Sequence, residues 1–317
     1  MTVLVTGGAG FLGTRLITAL LGGATAHPVP DRVLCVDRIA SPLADARVVS
    51  CVGSVTDAAF LATLADPDLT TVWHLAAVLS GQSEAEPDLA AEVNVGGTLA
   101  LLAMCRTLPR PPRFVLASTV AVFGGPLPEV VPEDLALRPA TTYGVTKAIA
   151  ELHVLEATRR GVVDGVAVRV PTVAVRPGAP NSAMSSFVSG IVREPLAGLP
   201  SACPVPLDTR LWVASPVTTT ANLAAMGAMA SEAIGEVRTL NLPGLTVTPA
   251  DLLAALERAA GAEARARVAL TPDAAVARMV RSWPGAFDVT RAFGIGLVAD
   301  ADADAIVAQF IAERAAP

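Results

Sequence analysis

The chain has 317 residues, 52% of them hydrophobic and 16% charged, with a formal net charge of -6 and a pI near 5.1. An acidic balance argues against nucleic acid or an anionic membrane as partner, since both want a basic face. No run of about 18 apolar residues escapes a Gly, Pro or charge break, so no bilayer span is expected.

Read from the N-terminus, MTVLVTGG has no basic residues ahead of its apolar ones and reads as a first strand, not a signal peptide, which carries the expectation of a cytoplasmic protein. Strands are predicted at 2–6, 32–37, 47–52, 71–75, 113–118 and 166–170; short β-branched runs of this kind read as buried parallel strands. Between them, Leu12, Leu16 and Leu20, then Leu89, Val93, Leu99, Leu102 and Cys105, recur at helical spacing. Strands alternating with helices predict an α/β fold, a Rossmann doubly wound parallel sheet with a smaller C-terminal region. Cys35, Cys51, Cys105 and Cys203 are far apart, so core cysteines are expected, with no disulfide and no metal site.

From Pro171 to about Pro216 the periodicity is lost in Pro, Ser and Gly-rich sequence; a segment of that length inside a compact chain is usually functional. Helices are predicted again at 216–234, from Thr248 as a cap to a terminal Gly261, and at 303–314. DADAD at 300–304 imitates the start of a calcium loop, but Ala305 and Ile311 stand where Gly and Glu are needed, so it reads as a helix N-terminus.

The first strand runs directly into TGGAGFLG, residues 6–13. Gly7 and Gly10 suit a tight turn approached by a pyrophosphate, Gly13 lets the helix pack close, and the helix N-terminus offers N–H donors. Asp37 ends the second strand, where an acid would accept hydrogen bonds from the adenosine ribose and repel a 2′-phosphate. The cofactor expected is NAD in preference to NADP.

The stretch TTYGVTKAIAE, 141–151, holds the one tyrosine and the one lysine of a chain with twenty-two arginines. Tyr143 and Lys147 share a face of a predicted helix at 143–160. Free tyrosine, with a pKa of about 10, is a poor base near neutrality, and an adjacent ammonium favours its phenolate. A planar guanidinium cannot replace a compact ammonium that must also reach ribose hydroxyls. Ser118 and Thr119 end the fifth strand and offer a third hydroxyl. His74, at the end of a buried strand, reads as structural.

TGGAGFLG, HLAA at 74–77, NVGGT at 94–98, STVAVFG at 118–124 and YGVTK at 143–147, in this order, resemble the extended short-chain dehydrogenase/reductase family over about the first 175 residues. The resemblance implies Thr119, Tyr143 and Lys147 as catalytic residues, Tyr143 being the acid/base and Lys147 also binding ribose. For the cofactor it adds Phe11 and Leu12 in the glycine loop, Ser54 and Val55 after the third strand, and Leu75, Ala76 and Ala77 after the fourth. Asn94 and Pro171 complete that set, although a helical Asn94 satisfied by backbone is nearly as good a reading. The chain departs from the family pattern at Thr119, where Ser is commoner, at Phe123, where Tyr is frequent, and at Ser54, where an Asp often faces adenine.

The segments at 169–198 and 203–216 resemble the D-erythronate dehydrogenase subgroup, which implies a small sugar acid as substrate and NAD-dependent oxidation at its C2. A sugar acid needs a cation and several polar partners, and Ser80, Arg176, Asn181, Ser185 and Arg210 are available, Arg210 being first candidate for the carboxylate. Two other readings stay open: a sugar-nucleotide epimerase or dehydratase with retained NAD, and a non-catalytic NAD-sensing protein. The expected organisation is an NAD-binding domain at 1–175 and a substrate-binding region at 176–317, with about 212–242 returning to the first domain. The resemblance also implies a homodimer through helices 88–106 and 143–160.

Overall fold

The computed structural model describes residues 1–178 and 185–315. Strands follow in the order β1 (Thr2–Thr6), β2 (Arg32–Asp37), β3 (Val48–Val52), β4 (Leu69–His74), β5 (Arg113–Thr119), β6 (Asp164–Val170), β7 (Thr172–Val173), β8 (Ser201–Cys203), β9 (Leu211–Ala214), β10 (Thr239–Asn241), β11 (Leu245–Val247) and β12 (Val268–Leu270). Helices are α1 (Phe11–Gly22), α2 (Ala58–Ala62), α3 (Ser80–Ala85), α4 (Pro87–Ala90), α5 (Gly97–Cys105), α6 (Thr142–Arg159), α7 (Ser186–Leu196), α8 (Pro216–Ala228), α9 (Ser231–Ile234), α10 (Pro249–Ala266), α11 (Ala274–Arg281), α12 (Thr290–Gly294) and α13 (Ala303–Ala315).

One compact unit comprises Met1–Val122, Thr141–Arg169 and Thr220–Leu240. It is organised on a seven-stranded sheet in the order β10-β6-β5-β4-β1-β2-β3, with β3, β2, β1, β4 and β5 paired in parallel. The sequence reverses direction between β1 and β4, the switch point at which open α/β sheets bind ligands. Leu4, Leu34, Val72, Phe114 and Leu116 are buried in its core, as strands covered on both faces require. Trp73 is fully buried, and its indole N–H donates to the Leu223 carbonyl at 2.8 Å, tying β4 to α8.

Helix α6 starts where Thr141 caps it, its hydroxyl accepting from the Gly144 N–H at 3.1 Å. Pro87–Cys105 is one helical stretch in which α4 passes through a π-helical turn, Ala91–Gly96, into α5. Its mean hydropathy of 1.3 is that of a membrane span, yet Ala90, Asn94, Leu101, Leu102 and Cys105 are buried within the unit. Leu99, one of the apolar residues that recur there at helical spacing, faces outward and is 43% exposed.

The other unit holds Phe123–Ala140, Val170–Thr219 and the chain from Asn241 on. In its small sheet β9 lies between antiparallel β11 and parallel β7, and β12 pairs with β8. Helices α7, α10 and α13 close its core around Val188, Ile191, Leu252, Leu256, Ile306 and Val307. The stretch that lacks periodicity in the sequence therefore carries regular structure, including α7; Gly190 and Pro195 interrupt its apolar pattern without ending the helix. The helix expected at 216–234 is broken in two after Ala228. A capping box of Thr248 and Asp251 opens α10, and Gly261, with φ 83°, kinks the helix, which resumes to Ala266. Asp302 accepts from the Ala305 N–H at 2.8 Å at the start of α13, so the acidic run does open a helix. Among the described residues no cluster of metal-ligating side chains occurs, and the four cysteines are unpaired.

Candidate active site

The parallel strands β1, β2, β3, β4 and β5 end on one edge of the sheet, and the loops that follow β1 to β4 there hold Gly7, Asp37, Ser54 and Ala76 among the expected cofactor residues. After β1, Gly7 adopts φ +66°, and a Cβ at this position would lie 2.8 Å from the Ala76 nitrogen. The loops after β1 and β4 touch because Gly7 has no side chain. At Gly13 a Cβ would meet the Gly7 carbonyl oxygen at 2.1 Å, so the first turn of α1 packs onto its own loop only with glycine. Gly10 at the helix N-cap supplies no capping side chain, and Phe11 and Leu12 begin α1. A helix N-terminus without a side-chain cap, behind a loop with no room for a Cβ at Gly7 or Gly13, fits a dinucleotide pyrophosphate.

Asp37 ends β2 and turns toward this loop: Oδ2 accepts from the Ala9 N–H at 3.1 Å and Oδ1 from the Arg38 N–H at 2.7 Å. Ser54, after β3, bonds the Thr56 hydroxyl at 2.8 Å in the turn that leads into α2. Val55 packs under Gly97, where a Cβ would lie 2.7 Å from it. The Leu75 N–H donates to the Thr6 carbonyl and the Ala76 N–H to the Thr6 hydroxyl, both at 3.2 Å. Ala77 continues that loop, and Pro171 directly follows β6.

His74 is fully buried, with Nδ1 2.7 Å from the Thr6 hydroxyl and Nε2 3.0 Å from that of Thr98. Thr98 spends its proton on the Asn94 carbonyl at 2.7 Å, so Nε2 carries the imidazole proton and Nδ1 accepts from Thr6. Burial, reinforced by the Lys147 charge, drives His74 down to about 3, so it stays neutral and structural. Asn94 is buried in the π-helical turn: its Oδ1 accepts from the Val78 N–H at 2.8 Å, and Nδ2 donates to the Val78 carbonyl at 3.2 Å and the Thr146 hydroxyl at 3.0 Å. In this structure its side chain ties the loop after β4 to α6.

Thr119 is the last residue of β5, and its hydroxyl accepts from the Ala121 N–H at 3.1 Å. Tyr143 and Lys147 lie on the first turns of α6, Tyr143 half-buried and Lys147 only 1% exposed. Burial lowers the Lys147 ammonium to about 8, against the pull of the Glu151 carboxylate. A cation held so close to neutrality beside a phenol suits proton transfer. Glu151 and its partner Arg169 were not singled out in the sequence; the one available signal was the acid four residues after Lys147.

Of the expected substrate residues, Ser80 opens α3 in the same unit. Arg176, Ser185 and Arg210 belong to the other unit, and Asn181 lies outside the described residues. The backbone of Arg176 is fastened to α7, its N–H donating to Ser189 at 3.0 Å and its carbonyl accepting from Arg193 at 2.8 Å. Ser185 takes the N-cap position of α7 without a side-chain cap bond. Arg210 is half-exposed, pairs with Glu129 at 3.0 Å, and lines a cavity of about 390 Å³ together with Asp208, Thr209, Arg281 and Trp283.

A model of the NAD dependent epimerase/dehydratase family matches residues 3–212. A D-erythronate dehydrogenase of Cupriavidus necator is 45% identical, covering 98% of this chain and 98% of the relative. Another of that description, from Haemophilus influenzae, is 38% identical over 98% of this chain and 99% of its own. Among solved structures, the nucleoside-diphosphate-sugar epimerase from Agrobacterium tumefaciens has a TM-score of 0.93 at 33% identity, covering 99% of this chain and 94% of that one.

Proposed function

The chain belongs to the NAD dependent epimerase/dehydratase family, and from that premise we propose that it oxidises D-erythronate to 2-dehydro-D-erythronate with NAD. One observation carries the chemistry: a lysine buried to 1% exposure one helical turn after the only tyrosine, beside the end of β5. NAD supplies the hydride acceptor. Tyr143, as phenolate, takes the proton of the C2 hydroxyl while the C2 hydrogen leaves as hydride, so two electrons and two hydrogens depart and a carbonyl remains. The Thr119 hydroxyl holds the reacting oxygen, and Lys147 stabilises the phenolate and binds the ribose. Asp37 sets the preference for NAD over NADP, because its carboxylate ends β2 beside the phosphate loop and repels a 2′-phosphate.

The substrate assignment rests on the two D-erythronate dehydrogenases, whose similarity runs the whole length of the chain. Arg210 is the proposed carboxylate partner and would exchange Glu129 for the substrate; Arg176 is second. A homodimer is supported by α5 and α6, on which Leu99, Val145, Ile149 and Leu152 are exposed together. The similarity to the nucleoside-diphosphate-sugar epimerase favours a second reading, in which NAD is retained through the cycle. Steady-state NADH formation against a panel of aldonates and UDP-sugars separates the two. D-Erythronate should give continuous NADH, and an enzyme that ignores aldonates while converting a UDP-sugar would replace the dehydrogenase reading with the epimerase.

A further inference from the structure

Tyr143, Lys147 and Glu151 stand at successive turns of α6 and share one face of it. Glu151 is as buried as Lys147, at 1% exposure, and is held by two neighbouring strands. From β6, Arg169 places Nη2 2.9 Å from Oε2 and Nε 3.1 and 3.2 Å from the two carboxylate oxygens. From β5, Ser118 donates to Oε1 at 2.5 Å, next in sequence to Thr119. A carboxylate gripped by a guanidinium and a hydroxyl is held in one orientation. Stability is a weak reason for such an arrangement, since an apolar pair of similar volume often serves a core as well as a buried ion pair.

We infer that Glu151 is a positioning residue for the reaction: clamped by Arg169 and Ser118, its fixed negative charge keeps the buried Lys147 protonated beside Tyr143. This rests on the reading of Tyr143 and Lys147 as the proton-transfer pair. Burying an ammonium favours its neutral form, and a neutral Lys147 could not stabilise a phenolate. The other ionisable groups around this part of α6 do not supply the charge. His74 on β4 is neutral, and Cys105 on α5 is held as a thiol, pushed up to about 12 by burial. Glu84, whose carboxylate accepts from the Thr142 N–H at the start of α6, is exposed, as are Asp88 and Glu92. Arg113 begins β5, at the far end of the strand from Thr119, and is paired with Asp164. Glu151 is thus the buried anion on the Lys147 side of the helix.

The composition supplies the assay. With one lysine in the chain, protein labelled with ¹³C-lysine gives a single lysine side-chain NMR signal, and with one tyrosine the ultraviolet tyrosinate band reports Tyr143. Both titrations read the groups directly, without turnover. Glu151→Gln should lower the Lys147 midpoint by about 1 to 3 pH units, the range for losing an opposite charge one helical turn away, and raise that of Tyr143. Glu151→Asp, which keeps the charge, should leave Lys147 nearer wild type. The single variant takes the carboxylate from a buried Arg169, so Glu151→Gln with Arg169→Met is titrated and melted beside it. The expected result is a melting temperature restored toward wild type with the Lys147 midpoint still low. If the double variant regains both the melt and the wild-type Lys147 midpoint, Glu151 is only an ion-pair partner and the inference is overturned. NADH formation from D-erythronate by wild type tests the underlying function separately. A wild type inactive on aldonates, whose Lys147 nonetheless responds to Glu151, would overturn the substrate and not the electrostatics.

Discussion

Replacing Lys147 with Met should abolish activity and, in cofactor-free protein, raise stability. The ammonium is buried, and burial lowers it from 10.5 to about 8 despite Glu151. At about 1.4 kcal/mol per pH unit, that fall corresponds to roughly 3 kcal/mol of folding free energy spent on keeping the charge inside. The sign follows from proton counting. Below pH 8 both folded and unfolded chains carry the proton, and the penalty is complete. Between about 8 and 10.5 the folded chain releases it while the unfolded chain holds it, so stability rises with pH across that window. Met has a similar volume and no charge, but it leaves Glu151 with Arg169 and Ser118 alone, which removes part of the gain. The net expectation is about 1 to 3 kcal/mol in favour of the variant at neutral pH, at roughly 2 to 4 °C per kcal/mol. Thermal melts of wild type and variant without cofactor, from pH 7 upward, provide the measurement. The gap should narrow as pH climbs from about 8 toward 10.5. A variant that melts at or below wild type at pH 7, or a gap that ignores pH, would refute the reasoning.

Tyr143→Phe should keep NAD binding and lose turnover by about 10² to 10⁴, the range of general acid–base catalysis; near-normal turnover would remove Tyr143 from the chemistry. Asp37→Ala should narrow the preference for NAD over NADP and raise the KM for NAD, because the Ala9 N–H also loses its acceptor; coenzyme KM values measure both effects. Arg210→Ala should cut kcat/KM for D-erythronate by about 1.5 to 3 kcal/mol, the scale of a hydrogen bond to a charged group, with NAD affinity unchanged. If kinetics on D-erythronate stay normal, the carboxylate partner must be sought at Arg176.

The parts of this fold that were legible in the sequence are those written locally. β1, β2 and α6 fall within a residue of their expected limits, because a β-branched run, a strand-ending Asp and a Thr cap each act on their own neighbourhood. The glycine loop was legible because its glycine spacing is local, and the Gly10 and Gly13 contacts do lie within residues 7–13, but the contact of Gly7 with Ala76 is long-range and is not written in the loop. What escaped depends on partners distant along the chain. Glu151 and Arg169 are eighteen residues apart, and either alone reads as a surface charge. Leu99 shares the helical spacing of buried Leu102 and Cys105, and only the placement of α5 decides that it faces outward. In α7 packing on a core that includes Leu252 and Ile306 outweighs Gly190 and Pro195, a tertiary effect that periodicity cannot register.

The polar core of the first unit has a consequence for how the reaction is aligned. From the glycine loop a continuous hydrogen-bonded path runs from the Ala76 N–H to Thr6, His74, Thr98 and the Asn94 carbonyl; the Asn94 side chain carries it on to Val78 and Thr146, and Thr146 donates to the Tyr143 carbonyl at 3.0 Å. Every member is buried or half-buried, so breaking one link leaves a neighbour unsatisfied at about 1 to 3 kcal/mol. A leucine at His74 would fill the space and leave two threonine hydroxyls without it as partner. An apolar core could hold β4 and α6 together, but it would tolerate small slips between the glycine loop, proposed to carry the phosphates, and the helix that carries Tyr143. Hydride transfer is sensitive to misplacement of about 1 Å, and directional bonds forbid such slips where contact between methyl groups would permit them. The same logic explains a polar interior in a chain otherwise so rich in Ala, Val and Leu. The Thr6, His74, Thr98, Asn94 and Thr146 side chains of this interior lie along the path that joins the loop after β4 to α6.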